Sequence, residues 1–458
     1  MIELAPDRIA AAVGAVEPAP ETEDGSRPGR AVIDSREVGP GDLFFGLPGA
    51  NQDGGVYAAG ALADGAWGVV VGREHGAELE RSQPGARIFA VDDPLPALQH
   101  LARAWRRELG CPTVGITGST GKTSVKDICR AILPRRVHAS PENFNTEIGM
   151  PLAILAAPPE TELLVMEMAM RGMGQIAELC EIAEPDVAAI TNVGPVHLEL
   201  LGTFEAIVEA KAEILHGLSE EGRAVIPEDE EALSPHLRDS LEVFTFGPGG
   251  DVFALSASRE GGRTRARIGT PHGEADFEFP FSEEHNLRNA LCAISIGVAL
   301  DLDPEAMAAR TARIEFSRLR GERIELPGRI LLLNDCYNAN PISMRAAVEN
   351  LAGAESEDGR RTVAVLGGMA ELGPQSGSFH AEVGALVRDR GIDRLIGVGD
   401  LARDYSPDAW APDADAAVEL VAAELAEGDV ALIKGSRSVG LERLTDGLIA
   451  RMGEGEPA

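Results

Sequence analysis

The stretch that most limits what this chain can fold into is 114–127, VGITGSTGKTSVKD. Val114, Gly115 and Ile116 predict the end of a buried strand. Gly118, Ser119, Thr120 and Gly121 predict a tight turn, and Lys122 and Thr123 open a helix that continues through Ser124, Val125 and Ile128. Strand, glycine turn and helix N-terminus in that order make a phosphate cradle. The glycines let backbone N–H groups crowd around an anion, and the helix dipole adds partial positive charge. Lys122 is then expected on the β- and γ-phosphates of a nucleotide, and the Thr123 hydroxyl on Mg²⁺. The spacing is a short variant, because Ile116 stands where the first glycine of G-x4-G-K-[ST] would fall.

A chain of 458 residues has room for two or three domains, each with its own core. No apolar run reaches the roughly 18 residues of a membrane span. The opening MIELAPDRIAAAV has acids and no basic leader, so it does not read as a secretory signal. The formal charge of −33 argues against nucleic-acid or anionic-membrane binding through the overall field. An anionic substrate must be held by local positive charge instead. Such acidity is also what adaptation to salt produces. Cys111, Cys129, Cys180, Cys292 and Cys336 are odd in number, scattered and without C-x-x-C spacing, which predicts reduced thiols of a cytoplasmic protein.

Among the 41 basic residues, lysine occurs only at Lys122, Lys126, Lys211 and Lys434. A chain that uses arginine almost everywhere keeps lysine where an amine is needed, since lysine can lose its proton and react while arginine cannot. Lys126 is the exception, read as a solvated cation on the helix surface. Lys211, within EAKAE, is read as chemical: residues two apart on a helix do not face each other, so Glu209 and Glu213 do not account for it.

The pattern predicts an α/β protein in three units, 1–109, 110–315 and 316–458. The first alternates short strands at 31–36, 41–46, 67–71 and 87–91 with helices at 57–65 and 95–109, the last stopped by Gly110 and Pro112. In the second, strands at 163–167, 187–191 and 223–226 alternate with helices at 204–218 and 284–300, which predicts a mostly parallel sheet. The stretch 247–281 reads as antiparallel strands on the edge of that sheet. The third has strands at 329–335, 362–366, 395–398 and 430–433 in a doubly wound, Rossmann-like arrangement. The tail 452–458 reads as frayed.

Glu167 closes an apolar strand, where a carboxylate beside a phosphate loop would ligate Mg²⁺. Asn192 and His197 follow the next strand, and His197 could bind a second metal or orient a carboxylate. Asn143, Asn145 and Thr146 cap a helix or meet a ligand. Asn286 and Asn289 share one helix face and could bracket a base or cap the helix. The string Asn334-Asp335-Cys336-Tyr337-Asn338-Ala339-Asn340-Pro341 is a poor core and a good ligand loop. Lys434-Gly435-Ser436-Arg437 could bind a carboxylate or phosphate.

Taken together, TGSTGKTS, NFNTEIGMP, Glu167, TNVGPVHLE, EAKAEI, HNLRNA, NDCYNANPISM and LIKGSRSVGLERL resemble the Mur ligase family, and IDSREVGPGDLFFGLPG resembles its uridine-nucleotide domain. YNANP and KGSR are similar to the branch that adds D-Ala-D-Ala to UDP-MurNAc-tripeptide. The resemblance implies an ADP-forming, amide-forming ligase of peptidoglycan precursor synthesis, working as a cytoplasmic monomer through an acyl phosphate. It implies a small uridine-nucleotide domain, a central P-loop-type ATPase domain and a C-terminal Rossmann-like domain. Lys122 and Thr123 would hold ATP and Mg²⁺, with Glu167 and His197 as further metal ligands and Lys211 carbamylated by CO₂. Asn289 would contact adenine, and Arg323 and Asp335 would close over ATP. Ser35 and Arg36 would lie near the uridine. Residues 337–341 and 434–437, including Tyr337, Asn338, Asn340, Lys434, Ser436 and Arg437, would lie near the dipeptide. Asn145 and Thr146 would face substrate.

Two positions depart from the family. Its Leu-Gly-Asp-Met-x-Glu-Leu-Gly string has Gly368 in place of the aspartate, and its Asp-Gly-His ends in Gly55. A sister ligase adding the third amino acid would carry Asp-Asn-Pro-Arg in its third unit, and that string is absent. A non-catalytic relative would have lost metal-site positions, yet Lys122, Glu167, His197 and Lys211 are all present.

Overall fold

The computed structural model describes residues 2–15, 26–49, 52–141 and 143–453, with backbone only at 354–358. A first sheet is parallel throughout, in the order β1 (Ala31–Val32), β2 (Leu43–Phe45), β3 (Gly68–Gly72), β4 (Ile88–Val91). The helix Pro94–Leu109 follows. Asp93 caps it by accepting from the Leu95 N–H, a proline fills its first turn, and Gly110 ends it at φ 60°. Its apolar face, with Leu98, Leu101 and Trp105 buried, belongs to one continuous core that joins the first sheet to the next unit. The Trp105 indole donates to Ala157 O at 3.1 Å. Truncating Trp105 to alanine is expected to cost about 3–5 kcal/mol.

The second sheet has the order β10-β9-β8-β5-β7-β6 and is also parallel: β5 (Thr113–Thr117), β6 (Val137–Ala139), β7 (Leu163–Glu167), β8 (Val187–Ile190), β9 (Arg223–Pro227), β10 (Glu242–Phe246). Its central strands are buried on both faces, which is why they read as unbroken apolar runs. The chain leaves β5 to one side and returns past it to β8. The ends of β5, β7 and β8 therefore lie together at a switch point, where such sheets bind ligands.

The antiparallel strands β11 (Phe253–Glu260), β12 (Arg263–Thr270) and β13 (Gly273–Phe279) form a sheet of their own. The expectation that 247–281 extends the main sheet is corrected here. That edge belongs to β10, and the antiparallel sheet turns its apolar residues Ile268, Phe277 and Phe279 into a core shared with the helix Glu284–Ala299.

The third sheet runs β14-β15-β19-β16-β17-β18: β14 (Glu322–Leu326), β15 (Ile330–Asn334), β16 (Thr362–Gly367), β17 (Arg394–Val398), β18 (Ala409–Ala411), β19 (Val430–Lys434). Only β14 is antiparallel to its neighbour. The edge strands β6, β10, β14 and β18 had no clear sequence signal. The helix Glu442–Gly453 extends through Met452 and Gly453, so these two are not frayed; the rest of the predicted tail lies outside the described residues. No described helix is long and apolar enough to cross a membrane.

Candidate active site

The phosphate loop forms as its sequence requires. β5 ends at Thr117, and the helix Lys122–Ile132 starts after Gly121 in the left-handed region, φ 80°. Two glycines are demanded by their surroundings. A Cβ on Gly118 would sit 1.9 Å from Thr191 Oγ1, and one on Gly121 would sit 2.4 Å from Asn289 Oδ1. Asn192 fixes the turn by accepting from Thr120 N at 2.9 Å and donating to Thr120 Oγ1 at 2.7 Å. Ser119 Oγ exchanges hydrogen bonds with Gly194. The Lys122 ammonium donates to Gly118 O at 2.8 Å. Burial holds its pKa below the ordinary value; Glu167 opposes that shift and the Arg320 cation adds to it.

Glu167, at the end of β7, is buried. It accepts from Thr123 Oγ1 at 2.9 Å and from Asn145 Nδ2 at 2.8 Å. Both donors are neutral, and no described basic side chain lies at ion-pair distance. A buried carboxylate beside a hydroxyl is the hard-oxygen set that suits Mg²⁺, so the residues fit that ion. Lys211 is buried on the helix Phe204–His216. Its amine has no hydrogen-bond or ion-pair partner among the described residues, and burial together with Lys122 pushes its pKa well below the ordinary lysine value. It is a buried amine, unpartnered among the described residues, rather than a solvated helix cation, and its environment disfavours the charged form, which fits reaction with CO₂.

His197 occupies a left-handed backbone conformation, φ 56°. Its Nδ1 meets the Glu371 carboxylate of the third unit, where Glu371 is itself left-handed at φ 62°. Arg171 lies 3.7 Å from the same carboxylate, and Glu199 N donates to Glu371 O at 3.3 Å. Burial lowers the His197 pKa against the pull of Glu371.

Across the cleft, β15 and β19 bring Asp335 and Lys434 side by side. The buried Lys434 ammonium donates to Asp335 Oδ2 at 2.6 Å and to Asn338 O at 3.0 Å. Ser436 Oγ accepts from Ala370 N. A cleft of about 440 Å³ is lined from both sides: Ser119 to Ser124 and Asn289 on one, Asp335, Asn338, Asn340 and Lys434 on the other.

Several expectations need correction. Arg323 is exposed on β14 and lines a neighbouring cavity, not this cleft. The cation that reaches the loop is Arg320, which donates to Thr123 Oγ1 at 3.2 Å and stacks 4.1 Å from the Tyr337 ring centroid. The string SRLRGER placed an arginine there, but pattern alone did not say which. Asn340 spends its Oδ1 accepting from Ser343 N, capping the helix Pro341–Asp358. Arg437 is largely exposed, with Glu442 at 3.5 Å and the Tyr337 ring centroid 5.9 Å from its guanidinium. Thr146 is exposed and accepts from Gly149 N. Lys126 is buried, not solvated. Ser35 and Arg36 follow β1 in the first unit, where Arg36 pairs with Asp34. At the two departing positions another side chain fills the space. A Cβ on Gly368 would meet Leu401 Cβ at 2.7 Å, and one on Gly55 would meet the His75 ring at 2.3 Å. His75 Nε2 in turn lies 3.0 Å from Asp53 Oδ2.

A phosphate loop, a buried carboxylate, a buried lysine unpartnered among the described residues and a facing third unit define an ATP-using α/β ligase in class, and the comparisons agree. Family models match at residues 31–106 (Mur ligase family, catalytic domain), 116–297 (Mur ligase middle domain) and 319–437 (Mur ligase, glutamate ligase domain). The chain belongs to the Mur ligase family. It is 34% identical to the UDP-N-acetylmuramoyl-tripeptide--D-alanyl-D-alanine ligase of Bacillus subtilis (strain 168), over 91% of this chain and 92% of that protein. The crystal structure of MurF from Acinetobacter baumannii superposes with a TM-score of 0.85 at 27% identity, covering 97% of this chain and 98% of that one. MurF ligase from Thermotoga maritima, in complex with ADP, gives 0.81 at 31% identity, covering 94% and 98%.

Proposed function

We propose that this chain joins D-Ala-D-Ala to UDP-MurNAc-tripeptide, converting ATP to ADP and phosphate, in cytoplasmic peptidoglycan precursor synthesis. The observation that carries the reading is the single cleft in which the phosphate loop and its buried Thr123–Glu167 pair face the Asp335–Asn340 segment of another unit. The close likeness over nearly the whole chain to proteins named for this reaction supports it.

The substrate carboxylate attacks the γ-phosphate, ADP leaves, and the dipeptide amine then displaces phosphate from the acyl phosphate. Lys122 neutralises charge on the transferred group, as preorganised cations do in a site closed to water. Mg²⁺ held by Thr123 and Glu167 would spread the remaining phosphate charge. Lys211 as a carbamate, and His197, would complete that ligand set. Asn289 stands beside the loop for the base, and Arg320 replaces Arg323 as the cation closing over the phosphates.

We assign 1–109 to the uridine nucleotide, with Ser35 and Arg36 at its strand ends, 110–315 to ATP, and 316–458 to the dipeptide. Asn145, Tyr337, Asn338, Lys434 and Ser436 shape the substrate side. We further propose that the chain acts as a monomer. The test is phosphate release by the purified protein with ATP, Mg²⁺, UDP-MurNAc-tripeptide and D-Ala-D-Ala. Release only with a different amino acid would replace this reading with a sister ligase.

A further inference from the structure

Lys126 is the one lysine that the reaction above leaves without a task. It lies one turn beyond Lys122 on the phosphate-loop helix and is 2% exposed. Its ammonium donates to Ser140 O at 2.9 Å and stands 3.5 Å from Asp127 Oδ1. Burying a cation is costly, and an apolar side chain of similar volume would serve packing as well.

The contacts of Ser140 show what the charge holds. Ser140 follows β6 and is itself buried. Its Oγ accepts from Glu167 N at 3.2 Å, and its N–H donates to Val165 O at 3.1 Å, so the residue is bound to the last turn of β7. The loop that starts at Ser140 carries Asn145, whose amide holds Glu167 Oε1 and whose carbonyl accepts from Ala169 N at 2.9 Å. Glu167 is thus fixed by Thr123 from the helix directly and by Ser140 and Asn145 from the loop. Lys126 is the tie between that same helix and the root of the loop.

We infer that Lys126 is a positioning residue for the ligation: by holding the Ser140 corner it sets the Glu167 carboxylate against the Thr123 hydroxyl, where an oxygen-liganded divalent cation binds. This rests on the ATP–Mg²⁺ reading of the site. Asp127, next along the helix, anchors the chain entering the third unit, accepting from Ser317 N at 2.8 Å and Ser317 Oγ at 2.7 Å. One helical step therefore braces both the metal corner and the start of the third unit.

The test compares the full-length wild type, Lys126→Met and Ser140→Ala. Mn²⁺ binding in the presence of ADP is read by electron paramagnetic resonance, ADP affinity without metal by calorimetry, and folding by thermal melting. Lys126→Met should weaken Mn²⁺ binding about tenfold or more, as loss of an outer-shell support does. Metal-free ADP affinity and the KM for D-Ala-D-Ala should stay unchanged. Ser140→Ala should move Mn²⁺ affinity the same way, and the double variant should lose less than the product of the two. A folded Lys126→Met protein with Mn²⁺ affinity within about twofold of wild type, far inside the 10–100-fold range of such supports, overturns the inference. If Lys126→Met does not fold, unchanged Mn²⁺ affinity in Ser140→Ala overturns it, and weakened affinity supports it. Wild-type protein that binds Mn²⁺ and ADP yet forms no product would sink the proposed function and leave this inference standing.

Discussion

Lys122 and Lys434 line the same cleft, Lys122 on the first turn of the helix after β5 and Lys434 at the C-terminal end of β19, and they are treated in opposite ways. Lys434 is saturated by the Asp335 carboxylate and the Asn338 carbonyl. Lys122 has one carbonyl, Gly118 O, and Lys211 nearby has no partner at all among the described residues. A saturated cation shapes its own loop, and an unsaturated one is available to a ligand. Lys122 and Lys211 of the ATP-binding unit are held for chemistry, whereas Lys434 of the third unit is spent on architecture.

The largest effect expected is at Lys122. Lys122→Met should lower kcat by about 10²–10³, with the melting temperature unchanged or raised, because a desolvated charge is removed. Steady-state phosphate release and calorimetry together check it; a large stability loss would break the comparison.

Lys211→Ala should cost about 10–100-fold in activity and recover in part when short-chain carboxylic acids are added, since these supply the carboxylate that a carbamate would provide. Absence of extra density or mass on Lys211 in CO₂-equilibrated protein would argue against that modification.

At the other pole, Asp335→Asn leaves the buried Lys434 unpaired. It should cost about 3 kcal/mol, the low end for a broken buried pair because Asp335 is partly exposed. Denaturant melts measure it, and an unchanged midpoint would mean that Lys434 is less committed than its geometry shows.

The smallest effect concerns acid. Buried His380 accepts from Met369 N at Nε2, and Nδ1 meets Ser376 O, so the native ring is neutral. Burial keeps its pKa below the ordinary 6.5. The unfolded chain therefore takes up a proton first as pH falls through 6.5, and stability should fall from there until the native ring also protonates. His380→Gln should flatten that slope in melts taken across the acid range.

The inner strands of the middle unit and its phosphate-loop helix were legible because their signals are local: apolar runs for strands buried on both faces, and a glycine turn before a helix. The error at 247–281 came from a feature that sequence does not carry, namely which partner an antiparallel strand chooses. β6, β10, β14 and β18 escaped notice because edge strands need little apolar patterning. Within the site, Lys122, Thr123, Glu167 and Lys211 were found by motif, strand end and lysine scarcity. Arg320 was missed in favour of Arg323, three residues away. The choice depends on Leu319 and Gly321, both left-handed, which set the path of the chain between units.

Sequence by itself determined the chemistry available: a phosphate loop of short form, a strand-end carboxylate, four retained lysines and a polar third-unit loop. Each of these is a property of neighbours along the chain. Tertiary structure alone decided which of those groups are free to act. Whether a lysine is unpartnered, saturated or bracing depends on the carboxylates and carbonyls that folding places around it, and those come from residues up to about a hundred positions away. Lys126 shows the point most clearly, since its sequence context reads as a solvated helix face and its surroundings make it the tie to Glu167.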